Sequence, residues 1–360
     1  MPHRLVMTMF TFWIVVRTSA FSVQNLENTS DLTIDRMETV VHAANRAFPS
    51  VVDIYPEIGT DLTQVTWAHG VDTRKKLERA LRGSVMMIEA DVSLGKLKGD
   101  PHSPNRPIMA HPPVTASDLT LETFLDMVLD ESQYKGIKLD FKSNDVLERA
   151  LQIIKSRENR IRVPLWLNAD IIQGPVNAMS EPLNADMFLS LTKSYFPTAV
   201  ISVGWTTKVG KDGSYTFDHV RKMRDVLTAN QITAPVTFPV RAALATTLES
   251  RENILWLLNQ IPGSTITIWN SFGDEVDVPA LLDFINTIGK EFIYIDVQRG
   301  LRCQISRYRA FRSASSWLLN TLAIARTGKF SAGAGFLALI TYVTCMTSFF
   351  PWNADSYTSQ

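Results

Sequence analysis

The feature that most constrains this chain is an alternation of short β-rich runs with amphipathic helical stretches along its middle. The eight β-rich runs are Val65–His69, Val85–Val92, Gly136–Phe141, Pro164–Ala169, Ala199–Trp205, Pro235–Val240, Thr265–Trp269 and Glu291–Val297. The helical stretches between them are Arg74–Arg82, Leu119–Leu129, Asn144–Ser156, Asp186–Phe196, Phe217–Asn230, Ser250–Gln260 and Val278–Ile288. Strand–helix alternation predicts parallel strand pairing. Eight such units predict a closed (β/α)8 barrel.

Two details refine this prediction. An open doubly wound sheet is the alternative fold, but the Gly-rich phosphate loop that commonly follows its first strand is missing from the sequence. An extra β-rich run, Pro107–His111, lies between the second strand and its helix and predicts a hairpin extension of that loop. No interdomain linker is visible, so we expect one α/β domain, a TIM barrel, over residues 35–300.

Charge and cysteine content exclude several classes of protein. The 36 basic residues balance the 36 acidic ones. This balance argues against a nucleic-acid partner, because nucleic-acid-binding proteins usually carry a basic surplus. The sequence has two cysteines, Cys303 and Cys345, which are too few for a disulfide scaffold or a Cys-rich zinc site.

The first residues have the features of a secretory signal peptide, which we assign to residues 1–20. Arg4 precedes the apolar run Leu5–Val16, and small residues lead to a cleavage point before Phe21. This order matches the charged, apolar and cleavage regions of secretory signals, although an N-terminal anchor is the alternative. Asn28 begins a glycosylation sequon, which fits a secreted glycoprotein.

The C-terminal tail, residues 301–360, contains a second apolar run at 330–350. That run is just long enough to span a bilayer, but after a cleaved signal its flanking charges lie on the wrong side for the positive-inside rule. A lipid-anchor signal and a disordered tail are the alternatives. Together, the two ends predict a protein of the secretory pathway, located in the extracellular space or at the cell surface, with a C-terminal membrane anchor left open.

Charged and amide side chains occupy the inward face of three neighbouring strands, since strand side chains alternate between faces. They are Glu89 and Asp91 on the second strand, Lys138, Asp140 and Lys142 on the third, and Asn168 and Asp170 on the fourth. Unpaired charges inside a barrel would be strongly destabilising, so these side chains must meet one another, a metal or a ligand. All lie near the C-terminal ends of their strands, where barrel enzymes have their active sites.

Two histidines lie next to this set. His69 ends the first strand, and His111 ends the extra hairpin run. Both positions lead to the same mouth of the barrel. Two histidines at one site can act as general base and general acid.

The inward residues match a particular chemistry. Glu89, Asp91 and Asp140 are hard oxygen ligands, which suit Mg²⁺ or Ca²⁺. A divalent ion beside Lys138 or Lys142 would stabilise a phosphate group as its charge shifts. With the two histidines, this set predicts metal-dependent cleavage of a phosphodiester. The alternative is a buried layer of salt bridges between the lysines and the carboxylates.

Four more residues at strand ends extend the candidate substrate site. Trp205 ends the fifth strand, Arg241 follows the sixth, and Trp269 and Asn270 end the seventh. A tryptophan there would form a wall for an apolar or choline-like group through cation–π contact, and Arg241 would bind an anion. The alternative for each tryptophan is an aromatic packed in the core.

Several strings of the sequence resemble the menorin family, also called the family with sequence similarity 151. They are WAHGVDT at 67–73, MMIEADV at 86–92, PIMAHPP at 107–113, GIKLDFK at 136–142, WLNADIIQGP at 166–175, ISVGWTT at 201–207, VTFPVRA at 236–242 and TITIWN at 265–270. Menorins are in turn similar to the phospholipase-C-like phosphodiesterase barrels, which include glycerophosphodiester phosphodiesterases and spider-venom phospholipase D toxins. The resemblance implies a TIM barrel of that type.

The superfamily pattern also implies roles for individual residues. It consists of a His ending strand one, Glu-x-Asp on strand two, a second His, and an acidic residue and Lys two apart on strand three. By this resemblance the Mg²⁺ or Ca²⁺ ligands are Glu89, Asp91 and Asp140, the acid–base pair is His69 and His111, and the phosphate-facing lysine is Lys142.

Departures from the pattern leave two functions open. Gly70 follows His69 where glycerophosphodiesterases commonly have Arg, and Pro112 follows His111 where Asp is common. The first function is a secreted or membrane-tethered phosphodiesterase acting on a phospholipid or glycerophosphodiester. The second is a non-catalytic extracellular ligand for a cell-surface protein in adhesion or neuronal patterning, as some menorins are understood. A third, weaker alternative is a carbohydrate-active barrel. Such an enzyme would use paired carboxylates, but its mechanism gives no role to Lys138, Lys142, His69 and His111.

Overall fold

The computed structural model describes residues 48–326, apart from residues 101, 132, 133, 179, 209 and 211 and the side chains of 177 and 316–326. The predicted signal peptide, the sequon and the apolar run at 330–350 lie outside these residues. The described residues belong to one compact unit. Within them, no helix combines the length and the apolar character that crossing a membrane requires.

Eight parallel strands form a nearly closed barrel. The described residues contain ten strands, of which β3 and β4 lie outside the barrel: β1 (Trp67–Ala68), β2 (Met87–Leu97), β3 (Arg106–Met109), β4 (Ala116–Ser117), β5 (Gly136–Phe141), β6 (Leu165–Ile172), β7 (Val200–Trp205), β8 (Val236–Arg241), β9 (Thr265–Trp269) and β10 (Ile293–Asp296). All but β3 and β4 follow one another in the order β1-β2-β5-β6-β7-β8-β9-β10. The predicted (β/α)8 fold is therefore confirmed.

Helices alternate with the barrel strands. They are α1 (Val51–Ile54), α2 (Arg74–Arg82), α3 (Leu121–Leu129), α4 (Asn144–Lys155), α5 (Ala185–Tyr195), α6 (Phe217–Ala229), α7 (Ala242–Ala245), α8 (Leu248–Gln260), α9 (Val278–Ile288) and α10 (Arg299–Arg326). Short 3-10 helices occur at Pro56–Ile58, Leu62–Gln64, Glu158–Arg160, Pro175–Asn177 and Lys290–Phe292. The seven predicted helices correspond closely to α2–α6, α8 and α9.

Polar residues set where seven of these helices begin. In each, a side-chain oxygen at the residue before the helix accepts a hydrogen bond from a backbone N–H three residues later, which satisfies one of the donors that a helix start leaves unpaired. The capping residues are Ser50, Thr73, Thr120, Asn184, Thr216, Thr247 and Asp277.

The predicted hairpin extension is present and explains why β2 is longer than the sequence indicates. β2 continues past the barrel and pairs antiparallel with β3, from Val92 opposite Met109 to Gly95 opposite Arg106. A Cβ atom at Gly95 would overlap with Ile108 and with the Thr115 carbonyl, so this close pairing depends on glycine. The extension returns the chain to the barrel mouth just before His111.

The barrel interior changes from apolar to charged along the strands. Its N-terminal end is filled by Trp67, Trp166 and Tyr294, with ring centroids 5.3 Å apart for the two indoles and 4.8 Å apart for Trp166 and Tyr294. These rings belong to a cluster that includes Met87 and residues of the segment before β1. Two residues after this apolar layer, the inward positions of the strands carry polar or charged side chains: His69, Glu89, Lys138, Asn168 and Asp296. Two residues later again, the inward positions include the carboxylates Asp91, Asp140 and Asp170.

Replacing Gly136 by Ala tests the packing at this apolar end. A Cβ atom at Gly136 would overlap with Sδ of the fully buried Met87 and lie 3.2 Å from Cβ of Pro164. We expect Gly136→Ala to lower the free energy of unfolding by about 1–3 kcal/mol, because overpacking a dense core forces strain. Urea unfolding measures the change.

Gly300→Ala is the matched control. A Cβ atom there would meet nothing within 4 Å, and alanine favours the helix in which Gly300 lies. We expect Gly300→Ala to be neutral or slightly stabilising. Equal stability of the two variants would contradict the dense packing described for the apolar N-terminal end of the barrel.

Candidate active site

A cavity of about 590 Å³ opens at the C-terminal ends of the barrel strands. It brings together twelve of the thirteen site residues predicted from the sequence. They are His69, Glu89, Asp91, His111, Lys138, Asp140, Lys142, Asn168, Asp170, Arg241, Trp269 and Asn270. The thirteenth, Trp205, lies elsewhere.

Three carboxylates converge at one point of the cavity. Glu89, Asp91 and Asp140 each place an oxygen within 4.8 Å of the other two. The parallel register of β2 and β5, which sets Asp91 beside Asp140, accounts for this convergence. The Gly70 N–H donates to Oε2 of Glu89 at 2.7 Å. A set of three carboxylates at this spacing fits a hard divalent cation.

The electrostatics of these carboxylates also favour a cation. Burial raises the pKa of Glu89 to about 7; the charge of His69 lowers it, and that of Asp91 raises it further. Burial raises the pKa of Asp170 to about 7 as well, with the charge of Asp140 adding to the rise. The raised pKa values of Glu89 and Asp170 therefore indicate that the neighbouring histidine and lysines do not fully compensate the negative charge of the carboxylates in this cavity.

Lys142 lies between two of the three carboxylates. Its Nζ is 2.8 Å from Oδ1 of Asp91 and 2.5 Å from Oδ2 of Asp140. Burial lowers the pKa of Lys142, but the charges of Asp140 and Asp91 outweigh burial and raise the pKa well above its ordinary value. Lys142 is thus a fixed positive charge beside the carboxylate group, and its two ion pairs are of the kind that the salt-bridge alternative predicts.

A buried carboxylate holds His69. The Nδ1 atom of His69 is 3.0 Å from Oδ1 of Asp296 and 3.3 Å from Oε2 of Glu89. Burial alone lowers the pKa of His69, but the charges of Glu89 and Asp296 outweigh burial and raise the pKa to about 10. In the absence of a metal ion, His69 is therefore an imidazolium.

Lys138 meets the other oxygen of the same carboxylate. Its Nζ is 3.4 Å from Oδ2 of Asp296 and 5.8 Å from the centre of the Trp67 ring. The Lys138 side chain is 4% exposed. Lys138 lines the cavity, but its charge is engaged by Asp296, a carboxylate outside the set predicted from the sequence.

The hairpin extension positions His111. The residue before it, Ala110, donates its N–H to the Asp91 carbonyl at 3.0 Å and accepts from Oγ of Ser93 at 2.6 Å. Nδ1 of the exposed His111 is 2.6 Å from the Pro112 carbonyl oxygen. Because a carbonyl only accepts, Nδ1 carries a hydrogen in this contact, and Nε2 is the ring nitrogen left for a substrate.

Comparison with known proteins identifies the family of this chain. The Menorin N-terminal domain matches residues 61–302. The chain belongs to the menorin family. The human protein FAM151B is 38% identical over 242 residues, which make up 66% of this chain and 83% of that protein. Residues 61–302, which the family matches, include every barrel strand of the described residues and every predicted site residue.

Arg241 of this menorin is engaged by a neighbouring loop. Its Nε and Nη2 donate to the two oxygens of Asp274 at 2.9 and 2.6 Å, and its Nη1 donates to Oγ1 of Thr207 at 3.1 Å. The guanidinium lies 5.2 Å from the centre of the Trp269 ring. Arg241 therefore joins the loops at the mouth, and it already covers one face of the indole that was predicted to receive a cation.

Trp205 is placed differently from the prediction. It does not line the cavity formed by the described residues; it is 1% exposed within the main hydrophobic core. Its Nε1 donates to the His219 carbonyl at 3.1 Å, and its ring packs against Tyr215. The alternative of a packed aromatic describes Trp205 correctly, because Trp205 shares the outward face of β7 with Ile201 and Val203.

The two asparagines line the cavity with their carbonyl oxygens already bonded. Oδ1 of Asn168 accepts from Oγ of Ser202, and Oδ1 of Asn270 accepts from the Gln298 N–H at 2.8 Å. Each side chain thus connects neighbouring parts of the mouth.

Sequence reasoning missed three carboxylates. Asp296 ends β10 on the inward face, two residues after Tyr294, so strand alternation could have found it. Oδ1 of Asp72 accepts from the Asp91 N–H at 2.9 Å, and burial raises the pKa of Asp72 to about 6 with the charge of Asp91 adding. Asp72 and Asp274 lie in loops, where no periodicity marks them.

Replacing Asp296 by Asn tests the buried network. The change leaves His69 and Lys138 without their shared counter-charge, and Asp296 is fully buried. We expect Asp296→Asn to lower the free energy of unfolding by about 3 kcal/mol or more, as for other buried pairs that lose one partner. Urea unfolding at neutral pH measures the loss.

The matched control is Asp283→Asn. Asp283 pairs with Arg312 at 3.4 Å, and both side chains are more than half exposed. Exposed pairs contribute little to stability, so we expect almost no change. A similar loss in both variants would contradict the role given to Asp296.

Proposed function

We propose that this menorin is a metal-dependent phosphodiesterase that acts on a phospholipid or a glycerophosphodiester and uses Mg²⁺ or Ca²⁺. The observation that supports the proposal most strongly is the convergence of Glu89, Asp91 and Asp140 beside Lys142 in one cavity. The family relationship supports it through the resemblance of menorins to phosphodiesterase barrels.

The balance of charge supports a bound divalent ion. Glu89, Asp91 and Asp140 form the cluster, and Asp72, Asp170 and Asp296 are further carboxylates beside it. The cations that face these six are His69, Lys138, Lys142 and Lys76. The raised pKa values of Glu89, Asp170 and Asp72 reflect burial together with negative charge that these cations do not fully compensate, and a bound divalent ion would compensate it.

The chain's own residues would divide the remaining work. A divalent ion held by the three carboxylates would supply charge stabilisation to a phosphate oxygen. Lys142 would add a positive charge next to that oxygen. His69, whose imidazolium is held by Glu89 and Asp296, would donate a proton to the leaving oxygen, and Nε2 of His111 would accept a proton from the attacking hydroxyl or water.

A non-catalytic extracellular ligand is the second candidate function, with a cell-surface protein as its partner. The full engagement of Arg241 by Asp274 and Thr207 favours it, because this arginine is then not available to grip a phosphate. Secretion and a C-terminal anchor belong to both candidates and stay predictions from the sequence.

Metal binding is tested by thermal unfolding. We expect Mg²⁺ or Ca²⁺ at about ten times its Kd to raise the Tm by about 3 °C, because an ion that binds only the folded state stabilises it. Asp140→Asn removes one ligand and should weaken the response. Glu181→Gln changes an exposed carboxylate of the cavity lining outside the cluster and should leave the response intact. No response of the wild-type protein to either ion would refute the metal site.

Catalysis is tested by turnover of a panel of phospholipids and glycerophosphodiesters. We expect His69→Ala and His111→Ala each to lose about 10²-fold or more in rate, as acid–base groups do. Lys142→Ala should also lose rate, because it removes charge stabilisation of the phosphate. Circular dichroism of the same samples checks that the fold persists.

The outcomes separate the two candidate functions. Retained turnover in His69→Ala would refute the mechanism. No turnover of any diester by the wild-type protein, together with partner binding that survives all three substitutions, would favour the extracellular ligand.

A further inference from the structure

Two loops that each expose an apolar side chain flank the mouth of the cavity. The first, which we call the proline loop, is HPPVTA at residues 111–116; all six of its residues are exposed, and Val114 is 54% exposed. The second, the Phe272 loop, is residues 271–274, and Phe272 is 86% exposed. His111, Pro112, Ser271 and Phe272 line the cavity. The two loops therefore border the same opening as the carboxylates.

A buried ion pair fixes the Phe272 loop in place. Oδ2 of Asp274 accepts from the Ser271 N–H at 2.8 Å and from Nε of Arg241 at 2.9 Å, and the Asp274 side chain is 0% exposed. Gly273 makes the turn with φ of 82°, a conformation that glycine adopts without strain. The loop is thus tied to the barrel on both sides of Phe272, and it holds this ring in solvent.

Hydrogen bonds and proline geometry hold the proline loop in a similar way. The Val114 N–H donates to the His111 carbonyl at 3.1 Å, and the Lys96 N–H donates to the Thr115 carbonyl at 2.9 Å. Pro112 and Pro113 each restrict their own φ. Val114 is therefore presented outward by a fixed backbone. Among the described residues, Phe272 and Val114 belong to neither of the hydrophobic core clusters.

We infer that this rim is a lipid-binding surface, on which Phe272 and Val114 enter the boundary between head groups and acyl chains of a phospholipid layer. The inference rests on the proposed function and selects phospholipid over a soluble glycerophosphodiester as its substrate class. A phospholipid joins a phosphodiester to apolar chains, so it matches both the charged cavity and the apolar side chains at its rim. A soluble glycerophosphodiester offers no apolar group to Phe272 or Val114.

The charges at the mouth agree with a contact driven mainly by apolar burial. Lys208 and Glu181 are exposed residues of the cavity lining and carry opposite charges. The rim therefore has no strong charge of one sign at these two positions, and binding should not depend on an anionic lipid. Apolar side chains at an interface bind in proportion to the area that they bury.

The test is co-sedimentation of the full chain with phosphatidylcholine vesicles. We expect the wild-type protein to bind, Phe272→Ser to weaken binding about tenfold, and Val114→Ser to weaken it less, in line with the apolar area that each removes. Tyr134→Ser is the matched control, because Tyr134 is 57% exposed and lies just before β5, at the opposite end of the barrel. No binding by the wild-type protein, or equal effects of Phe272→Ser and Tyr134→Ser, would overturn the inference.

Turnover measured on two substrates separates this inference from the proposed function. We expect Val114→Ser, which changes a rim side chain outside the cavity lining, to lose activity on vesicle phospholipid and to retain it on soluble glycerophosphocholine. Vesicle binding that depends on Phe272 without turnover of either substrate would support the lipid surface and refute the phosphodiesterase. Turnover of glycerophosphocholine without vesicle binding would do the reverse. A dimer that Phe272→Ser dissociates in size-exclusion chromatography, without vesicle binding, would overturn the lipid surface in favour of a contact between copies.

Discussion

The carboxylate of Asp296 joins the two ends of the barrel sheet. It ends β10, the last strand, and contacts His69, which directly follows β1, the first strand; its other oxygen reaches Lys138 on β5. β1 is only two residues long, and in the described residues the two end strands meet through side chains. Burial raises the pKa of Asp296, but the charges of His69 and Lys138 outweigh burial and lower it. His69 and Lys138 thus favour the ionised form of the Asp296 carboxylate in the interior. The position of His69 follows from the closure of the barrel.

The apolar N-terminal end of the barrel, which forms its floor, closes the interior beneath the charged residues. Trp67, Trp166 and Tyr294 close the N-terminal end of the barrel with edge-to-face contacts, so the charged residues are reached from the mouth. Charges in such a closed space interact strongly because few water molecules screen them. The same strands that supply the floor supply the charges two and four residues later. Substitutions in the floor would therefore be expected to disturb the site through the backbone of those strands.

Much of the fold and most of the site were accessible from the sequence, and the limits have physical reasons. Two-residue alternation placed Glu89 and Asp91 on the inward face, and parallel register brought Asp140 beside them. The same alternation assigns Trp205 to the outward face, so its placement at the mouth was an error of interpretation. The engagement of Arg241 was not accessible, because its partner Asp274 lies in a loop whose path no periodic pattern records. The prolines after His111 can be read from the sequence, but the exposure of this loop depends on tertiary structure, which the sequence pattern does not predict.

The extension of β2 has a consequence for how this barrel can vary. Glu89 and Asp91 lie on the same strand that continues to Leu97 and is joined to His111 through the antiparallel pairing with β3. The spacing between the carboxylates and His111 is set by that ladder of backbone hydrogen bonds, and the turn that links the two strands lies beyond it. The turn can therefore gain or lose residues while the ladder keeps its register. A fluorophore grafted at an exposed position of this turn, such as His102, would leave the ladder and the carboxylate-to-His111 spacing that it sets in place.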